Sequence, residues 1–147
     1  MYSLCNVKMN AQTSNWRVSS ISDVRINHES LRKFVANIFV KAGLAPDEAN
    51  IEAEVLVWAN LRGIDSHGVL RIPSYLDSID TGLMNTRPDI KTIKETPAVL
   101  FVDADRAMGP VVTTEVMNRV TEKAKSVGIG WGLLRENTHQ GAMGYYS

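Results

Sequence analysis

Apolar residues recur at helical spacing through the first half of the chain. Between Asn27 and Gly43 they fall at positions i, i+3, i+4, i+7 and i+8, which is the pattern of a helix with one apolar face. This stripe consists of Leu31, Phe34, Val35, Ile38 and Phe39. Asn27 is a favourable N-cap and Gly43 a favourable terminator, so the pattern predicts a helix over residues 28–42.

Two further helices are predicted in this half. Pro46, which is followed by two acidic residues, suits the first turn of a helix over residues 46–62. A third helix is predicted to run from Asp65 or Ser66 to Gly82. A proline within its first turns is unfavourable, which leaves open a start after a short bend.

The second half of the chain changes to short β-prone runs. Residues 98–102 and 129–134 are both predicted to be strands. Between them, Pro110 opens an amphipathic helix that Gly128 ends. The connection before the first strand is polar and is predicted to carry no regular element. The residues after Gly141 indicate the start of another helix.

This order of elements predicts an α/β (α+β) fold, in which a helical unit precedes the start of an α/β layer. The helical unit is expected over residues 24–87 and the layer over residues 88–147. Residues 1–23 are rich in Ser, Asn and Thr and are predicted to be a disordered extension. An organelle-targeting role for residues 1–22 is the alternative, although only two of them are basic.

Composition narrows the classes of function. The 147 residues have the length of one domain, and their 16 basic and 16 acidic side chains give a net charge of zero. No stretch of Lys and Arg forms a basic face and no segment approaches about 18 apolar residues, so neither nucleic acid nor a membrane is an expected partner. The single cysteine, Cys5, fits a reducing compartment, and a cytoplasmic location is expected.

The stretch GIDSHGVLR, residues 63–71, combines a carboxylate, a hydroxyl, an imidazole and a guanidinium. In a structural interpretation, Asp65 or Ser66 caps a helix and His67 is only a first-turn residue. In a chemical interpretation, His67 at a helix N-terminus transfers a proton with Ser66 beside it, and the planar fork of Arg71, one turn further along, holds a carboxylate. An acid/base together with a carboxylate ligand is what an enzyme that acts on 2-hydroxy or 2-oxo acids requires.

A second polar cluster, RENTHQG over residues 135–141, follows the carboxyl end of a predicted strand. Open α/β sheets bind ligands at this edge, although a capped loop is the plainer interpretation. His67 and His139 lack the additional ligands that zinc requires, so no metal site is expected. No G-x-G-x-x-G sequence follows either strand, and no G-x-S-x-G sequence is present, which argues against a Rossmann-type nucleotide site and a serine hydrolase.

Together the two clusters resemble the malate/L-lactate/ureidoglycolate dehydrogenase family, which are NAD(P)-dependent oxidoreductases without a Rossmann fold. Residues 55–82 resemble its N-terminal signature, Arg-Gly-x-x-Ser-His-Gly-x-x-Arg. The matching positions are Arg62, Gly63, Ser66, His67, Gly68 and Arg71. Residues 127–147 resemble a second signature, and the matching positions are His139, Gly141, Ala142, Gly144 and Tyr145.

The resemblance implies a role for each position. His67 would be the proton donor and acceptor, Ser66 its relay neighbour and Arg71 the ligand of the substrate carboxylate. In some members the second histidine, here His139, is itself proposed as the acid/base. The cofactor, NAD or NADP, and the reacting carbon would be lined by His139, Gln140, Gly141, Ala142 and Met143.

The resemblance also implies a partner and an assembly. The substrate would be a small 2-hydroxy or 2-oxo acid such as malate, lactate, sulfolactate or ureidoglycolate, and the complete protein would be a homodimer. Family members are more than twice as long, so the chain resembles a truncated copy, and on its own it is expected to be inactive and to self-associate or pack loosely. The alternative is a non-catalytic dimerisation or interaction module, or a non-functional remnant.

Overall fold

The computed structural model describes residues 4–6 and 25–147. The helices and strands, in chain order, are β1 Leu4–Asn6, β2 Arg25–Asn27, α1 His28–Lys41, α2 Pro46–Leu61, α3 Ile72–Asp80, β3 Lys91–Glu95, β4 Val99–Asp103, α4 Gly109–Val127 and β5 Trp131–Arg135. β1 pairs antiparallel with β2, so three residues of the predicted disordered extension form a strand. The rest of that prediction, and the targeting alternative, concern residues 1–3 and 7–23, which lie outside the described residues.

The structure confirms the first two predicted helices and their start signals. The Asn27 side chain accepts hydrogen bonds from the backbone N–H groups of Glu29 and Ser30, at 3.0 and 3.1 Å. At the start of α2, the Glu48 carboxylate accepts from the Ala45 N–H at 3.2 Å. The prediction that Phe34 belongs to the buried stripe of α1 is wrong, because its side chain is 63% exposed.

The third helix begins later than the preferred prediction. Residues 65–71 form two 3-10 turns, Asp65–His67 and Val69–Arg71, and α3 begins only at Ile72. Neither Asp65 nor Ser66 caps a helix, since no side-chain cap bond is present at these turns. The alternative of a short bend is confirmed, and its reason is the proline in the first turn of α3, where a missing N–H leaves no bond unmade.

The sheet contains one strand that the sequence did not indicate. Its order is β3-β4-β5, with β3 antiparallel and β5 parallel to β4. All five residues of β3 are exposed, so this edge strand has no alternation of apolar and polar residues to reveal it. The two predicted strands are confirmed as β4 and β5. The predicted helix after Gly141 is instead a 3-10 turn, Met143–Tyr146.

Two apolar clusters form the core. One lies between α1, α2 and α3, and the other lies between α4 and one face of the sheet. Met108, at the N-cap of α4, belongs to the first cluster, so the helical and the α/β parts share a packed boundary. The opposite face of the sheet leaves Trp131 59% and Leu133 44% exposed. Within residues 4–6 and 25–147, no helix has the length and hydropathy needed to span a bilayer.

A buried carboxyl group lies within α2. Glu52 is fully buried, and neither of its oxygen atoms has a hydrogen-bond partner among the described residues. Burial raises the pKa of Glu52 from 4.5 to about 8, because the charged form is poorly solvated there. Glu52 is therefore neutral at physiological pH, and its ionisation opposes folding.

This burial predicts a pH-dependent stability. In the unfolded chain Glu52 loses its proton near pH 4.5, whereas the folded chain holds the proton up to about pH 8. Between these values the free energy of unfolding should fall by about 1.4 kcal/mol per pH unit as pH rises, and Glu52→Gln should remove that slope. Urea unfolding from pH 4.5 to 8.5 measures it. Glu54→Gln, an exposed change on the same helix, is the control, and parallel curves for wild type and Glu52→Gln would contradict the assignment.

Candidate active site

The two polar clusters nominated from the sequence meet in space. The ring centroids of His67 and His139 are 5.4 Å apart, and the two ring planes are inclined by 35°. His67 ends the first 3-10 turn, and His139 lies in the loop that follows β5. Both side chains are half-buried, so part of each ring remains exposed. The structure thus forms one site from segments that lie far apart in the sequence.

Ser66 and Arg71 surround His67, as predicted, but through a bend rather than along one helix face. The Ser66 hydroxyl lies 3.0 Å from Nδ1 of His67. The Nε–H of Arg71 donates to the backbone carbonyl of Ser66 at 2.7 Å. The terminal guanidinium nitrogens of Arg71 form no ion pair with the described residues, which leaves the fork available to an anionic ligand.

The surroundings of His139 fix its tautomer. The Gly141 N–H donates to Nδ1 of His139 at 3.1 Å, and the Tyr75 hydroxyl lies 2.6 Å from the same atom. A backbone N–H can only donate, so Nδ1 carries a lone pair, the Tyr75 hydroxyl donates to it, and the ring proton is on Nε2. Burial first, and then the charges of Arg71 and His67, lower the pKa of His139, which favours the same neutral form.

Tyr75, in α3, is a residue of this site that no sequence motif indicated. Tyr75 is 2% exposed, and the centroid of its ring lies 6.5 Å from that of the Phe39 ring. Burial raises the pKa of Tyr75, the Glu52 carboxyl adds to this effect, and Arg71 opposes it, so the hydroxyl keeps its proton. The available signal was a tyrosine on a buried face, because a buried phenol requires a hydrogen-bond partner.

The loop that carries His139 is fixed to the start of α4. The Thr138 hydroxyl donates to the Ala107 carbonyl at 2.7 Å and accepts from the Gly109 N–H at 3.0 Å. Thr138 therefore supports the helix that precedes it in the chain, not one that follows it, which corrects the capped-loop interpretation. Gly109 is required here because a Cβ at this position would overlap the His139 carbonyl.

The remaining predicted residues of the second cluster differ in accessibility. Gly141 and Ala142 are buried, Gln140 is half-buried and Met143 is 58% exposed. Arg135, also within this cluster, forms an ion pair with Asp103, with Nη2 2.6 Å from the carboxylate. Among the described residues no group of three or more His, Cys, Asp and Glu side chains could hold a metal ion.

The tautomer of His139 leads to a spectroscopic prediction. Long-range ¹H–¹⁵N spectra should show Nδ1 of His139 unprotonated and Nε2 protonated, and only three histidines have to be assigned. Tyr75→Phe removes a donor to the neutral ring, so the pKa of His139 should rise in an NMR titration. Tyr146→Phe is the control, because its hydroxyl donates to the Gln140 carbonyl instead. A proton on Nδ1 in the wild type would refute this arrangement.

Known proteins resemble this chain in sequence and in fold. A family-wide sequence pattern described as malate/L-lactate dehydrogenase matches residues 26–147. The chain is 40% identical over 119 residues to L-sulfolactate dehydrogenase of Methanocaldococcus jannaschii, and 41% identical over 124 residues to malate dehydrogenase of Pyrococcus abyssi. These matches cover 81% and 84% of this chain, but only 35% and 34% of the relatives.

A solved structure agrees with these matches. Malate dehydrogenase from Pyrococcus horikoshii OT3 superposes with a TM-score of 0.82 at 38% identity, over 84% of this chain and 35% of that protein. The chain thus spans about a third of the length of its relatives. The matched region contains both histidine loops. On this combination of sequence and fold, the chain belongs to the malate/L-lactate dehydrogenase family.

Proposed function

We propose that this chain carries the proton-transfer and carboxylate-binding part of a dehydrogenase that interconverts a small 2-hydroxy acid and the corresponding 2-oxo acid with NAD or NADP. The observation that carries the proposal is the pair of imidazoles, 5.4 Å apart, beside an arginine whose fork has no ion-pair partner among the described residues. The chain spans about a third of the length of these relatives, so the activity of the whole protein is itself part of the proposal.

Each side chain has a separate task in this proposal. His67 gives a proton to the substrate oxygen during reduction and takes it back during oxidation, while Ser66 orients its ring through Nδ1. His139 is held as a neutral ring by Gly141 and Tyr75, so its Nε2–H donates a hydrogen bond to that oxygen without giving up its proton. Arg71 holds the carboxylate and thereby fixes the reacting carbon.

The cofactor is proposed on family membership together with one feature of the loop. Both polar atoms of the Asn137 carboxamide are buried and lack a hydrogen-bond partner among the described residues, which is unfavourable unless a partner arrives. A nicotinamide carboxamide has the complementary donor and acceptor. A shift of this loop that uncovers the Asn137 carboxamide would let it bind that group, with the cofactor lined by His139, Gln140, Gly141, Ala142 and Met143. When bound, the nicotinamide supplies or takes up the hydride.

The substrate class is argued from Arg71 and from the relatives. The Arg71 guanidinium has no ion-pair partner among the described residues and lies in the same site as two imidazoles. This set of groups suits a small acid that carries an oxygen on the carbon next to its carboxylate. The relatives are named for malate and L-sulfolactate, which are acids of this kind. For location and assembly, the proposal is an enzyme that lies in the cytoplasm and acts as a homodimer.

A non-catalytic interaction module is the second candidate. It is favoured by apolar side chains exposed on α1, where Phe34 is 63% and Val40 is 41% exposed. A module of this kind places no demand on the identity of His67. The chemical roles of His67 and Arg71 therefore separate the two candidates.

The first test replaces His67. In a chimera in which residues 26–147 substitute for the matching third of the Pyrococcus horikoshii malate dehydrogenase, His67→Ala should lower kcat by about 10²–10⁴-fold, because general acid–base catalysis is worth that much. Reduction of 2-oxo acids is followed by NAD(P)H absorbance. His28→Ala, at the start of α1, is the control. An unchanged kcat for His67→Ala with a loss for His139→Ala would transfer the acid/base role to His139.

The second test replaces Arg71. In the same chimera, Arg71→Lys keeps the charge but loses the planar fork, so KM for the 2-oxo acid should rise about tenfold or more while the Kd of the cofactor stays constant. Arg32→Lys, an exposed change on α1, is the matched control. Weaker cofactor binding with an unchanged KM would show that Arg71 does not hold the substrate carboxylate.

A further inference from the structure

The loop that carries His67 rests on one buried amide. Asn60 lies in the last turn of α2 and is 3% exposed. Its side-chain Nδ2–H donates to the Asp65 carboxylate at 2.7 Å, and its Oδ1 accepts from the Val69 N–H at 2.8 Å. These two bonds hold the chain two residues before and two residues after His67.

A steric contact adds to the two hydrogen bonds. A Cβ placed on Gly68 would overlap the carboxamide of Asn60, so the backbone next to His67 lies directly against this side chain. Asn60 thus contacts the loop at three points, Asp65, Gly68 and Val69. The ring of His67 projects from the middle of this clamped segment.

Only an amide satisfies this arrangement. The Asp65 carboxylate requires a donor and the Val69 N–H requires an acceptor, and Asn60 offers one of each in a fixed planar geometry. An aspartate at position 60 would still accept from Val69, but it would direct a second oxygen at the Asp65 carboxylate. An apolar residue would leave two half-buried groups, the Asp65 carboxylate and the Val69 N–H, without this bond.

The two histidines are placed by separate anchors. His139 depends on Thr138 and Gly109, on the start of α4, whereas His67 depends on Asn60. The distance between the two rings therefore depends on both sets of contacts, those of Thr138 and Gly109 with the His139 loop and those of Asn60 with the His67 loop. A misplacement of about 1 Å between reacting groups can cost on the order of 10²-fold in rate.

We propose that Asn60 is a positioning residue of the reaction, which holds His67 opposite His139 through its bonds to Asp65 and Val69 without contacting the substrate. The effect on catalysis rests on the proposed role of His67. The effect on the geometry of the two rings does not, and it can be measured in the chain without cofactor or substrate.

The test exchanges the two polar partners. Asn60→Asp should abolish the nuclear Overhauser contact between the His67 and His139 rings in the 147-residue chain, and should lower kcat of the chimera by about 10- to 100-fold with an unchanged cofactor Kd. Asp65→Asn is the matched control and should change neither quantity more than about twofold, because Asn60 can still donate to its side-chain carbonyl. The double variant, Asn60→Asp with Asp65→Asn, should restore both, since the donor and acceptor are then exchanged.

The outcomes separate this proposal from the proposed function. If Asn60→Asp leaves the ring contact and kcat unchanged, or if the folded double variant restores neither, Asn60 is not a positioning residue. If the ring contact is lost and restored as expected but His67→Ala leaves kcat unchanged, the positioning is correct and the proposed proton transfer is wrong. If Asn60→Asp does not fold, Gly68→Ala replaces it, because its Cβ displaces the same loop, and an intact ring contact in that variant would overturn the proposal.

Discussion

The geometry of the site depends on α2, which is packed against other parts of the chain on two opposite sides. One side packs against α1 and α3 in the first apolar cluster. On the other side, Val55 lies so close to Gly141 that a side chain on that glycine would overlap the valine. The Trp58 and Tyr145 rings also pack edge to face, with their centroids 5.7 Å apart. A helix packed in this way cannot move towards one neighbour without opening a gap to the other, because protein interiors are densely filled. Helix α2 therefore fixes the positions of both histidine loops relative to each other.

Close approach of backbone to neighbouring groups brings these loops to the same place. Gly68 lies on the Asn60 amide and Gly109 lies on the His139 carbonyl, and neither position has room for a Cβ. At each contact a nearby polar side chain uses both its donor and its acceptor. Asn60 donates to the Asp65 carboxylate and accepts from the Val69 N–H, and Thr138 donates to the Ala107 carbonyl and accepts from the Gly109 N–H. The imidazoles stay accessible while the backbone that carries them is fixed, which is the arrangement that precise positioning of reacting groups requires.

Burial keeps the interior of the site neutral. It is the largest cause that lowers the pKa of His139 and raises that of Tyr75 and Glu52, so all three groups favour their uncharged forms. Arg71, at the edge of the site, keeps a permanent charge. This distribution suits a centre that binds an anion at one point and moves a single proton at another. The buried Glu52 carboxyl, which has no hydrogen-bond partner among the described residues, contributes instability rather than a bond.

The sequence by itself determined α1, α2, α4, β4 and β5, because apolar periodicity and capping signals act over a few residues. It also nominated Ser66, His67, Arg71 and His139, since each lies in a short polar motif. Tertiary structure alone decided that the two rings meet, that Tyr75 donates to His139, that Thr138 supports the preceding helix, and that the exposed β3 joins the sheet. These features depend on contacts between residues far apart in the chain, and such contacts leave no periodic pattern in the sequence.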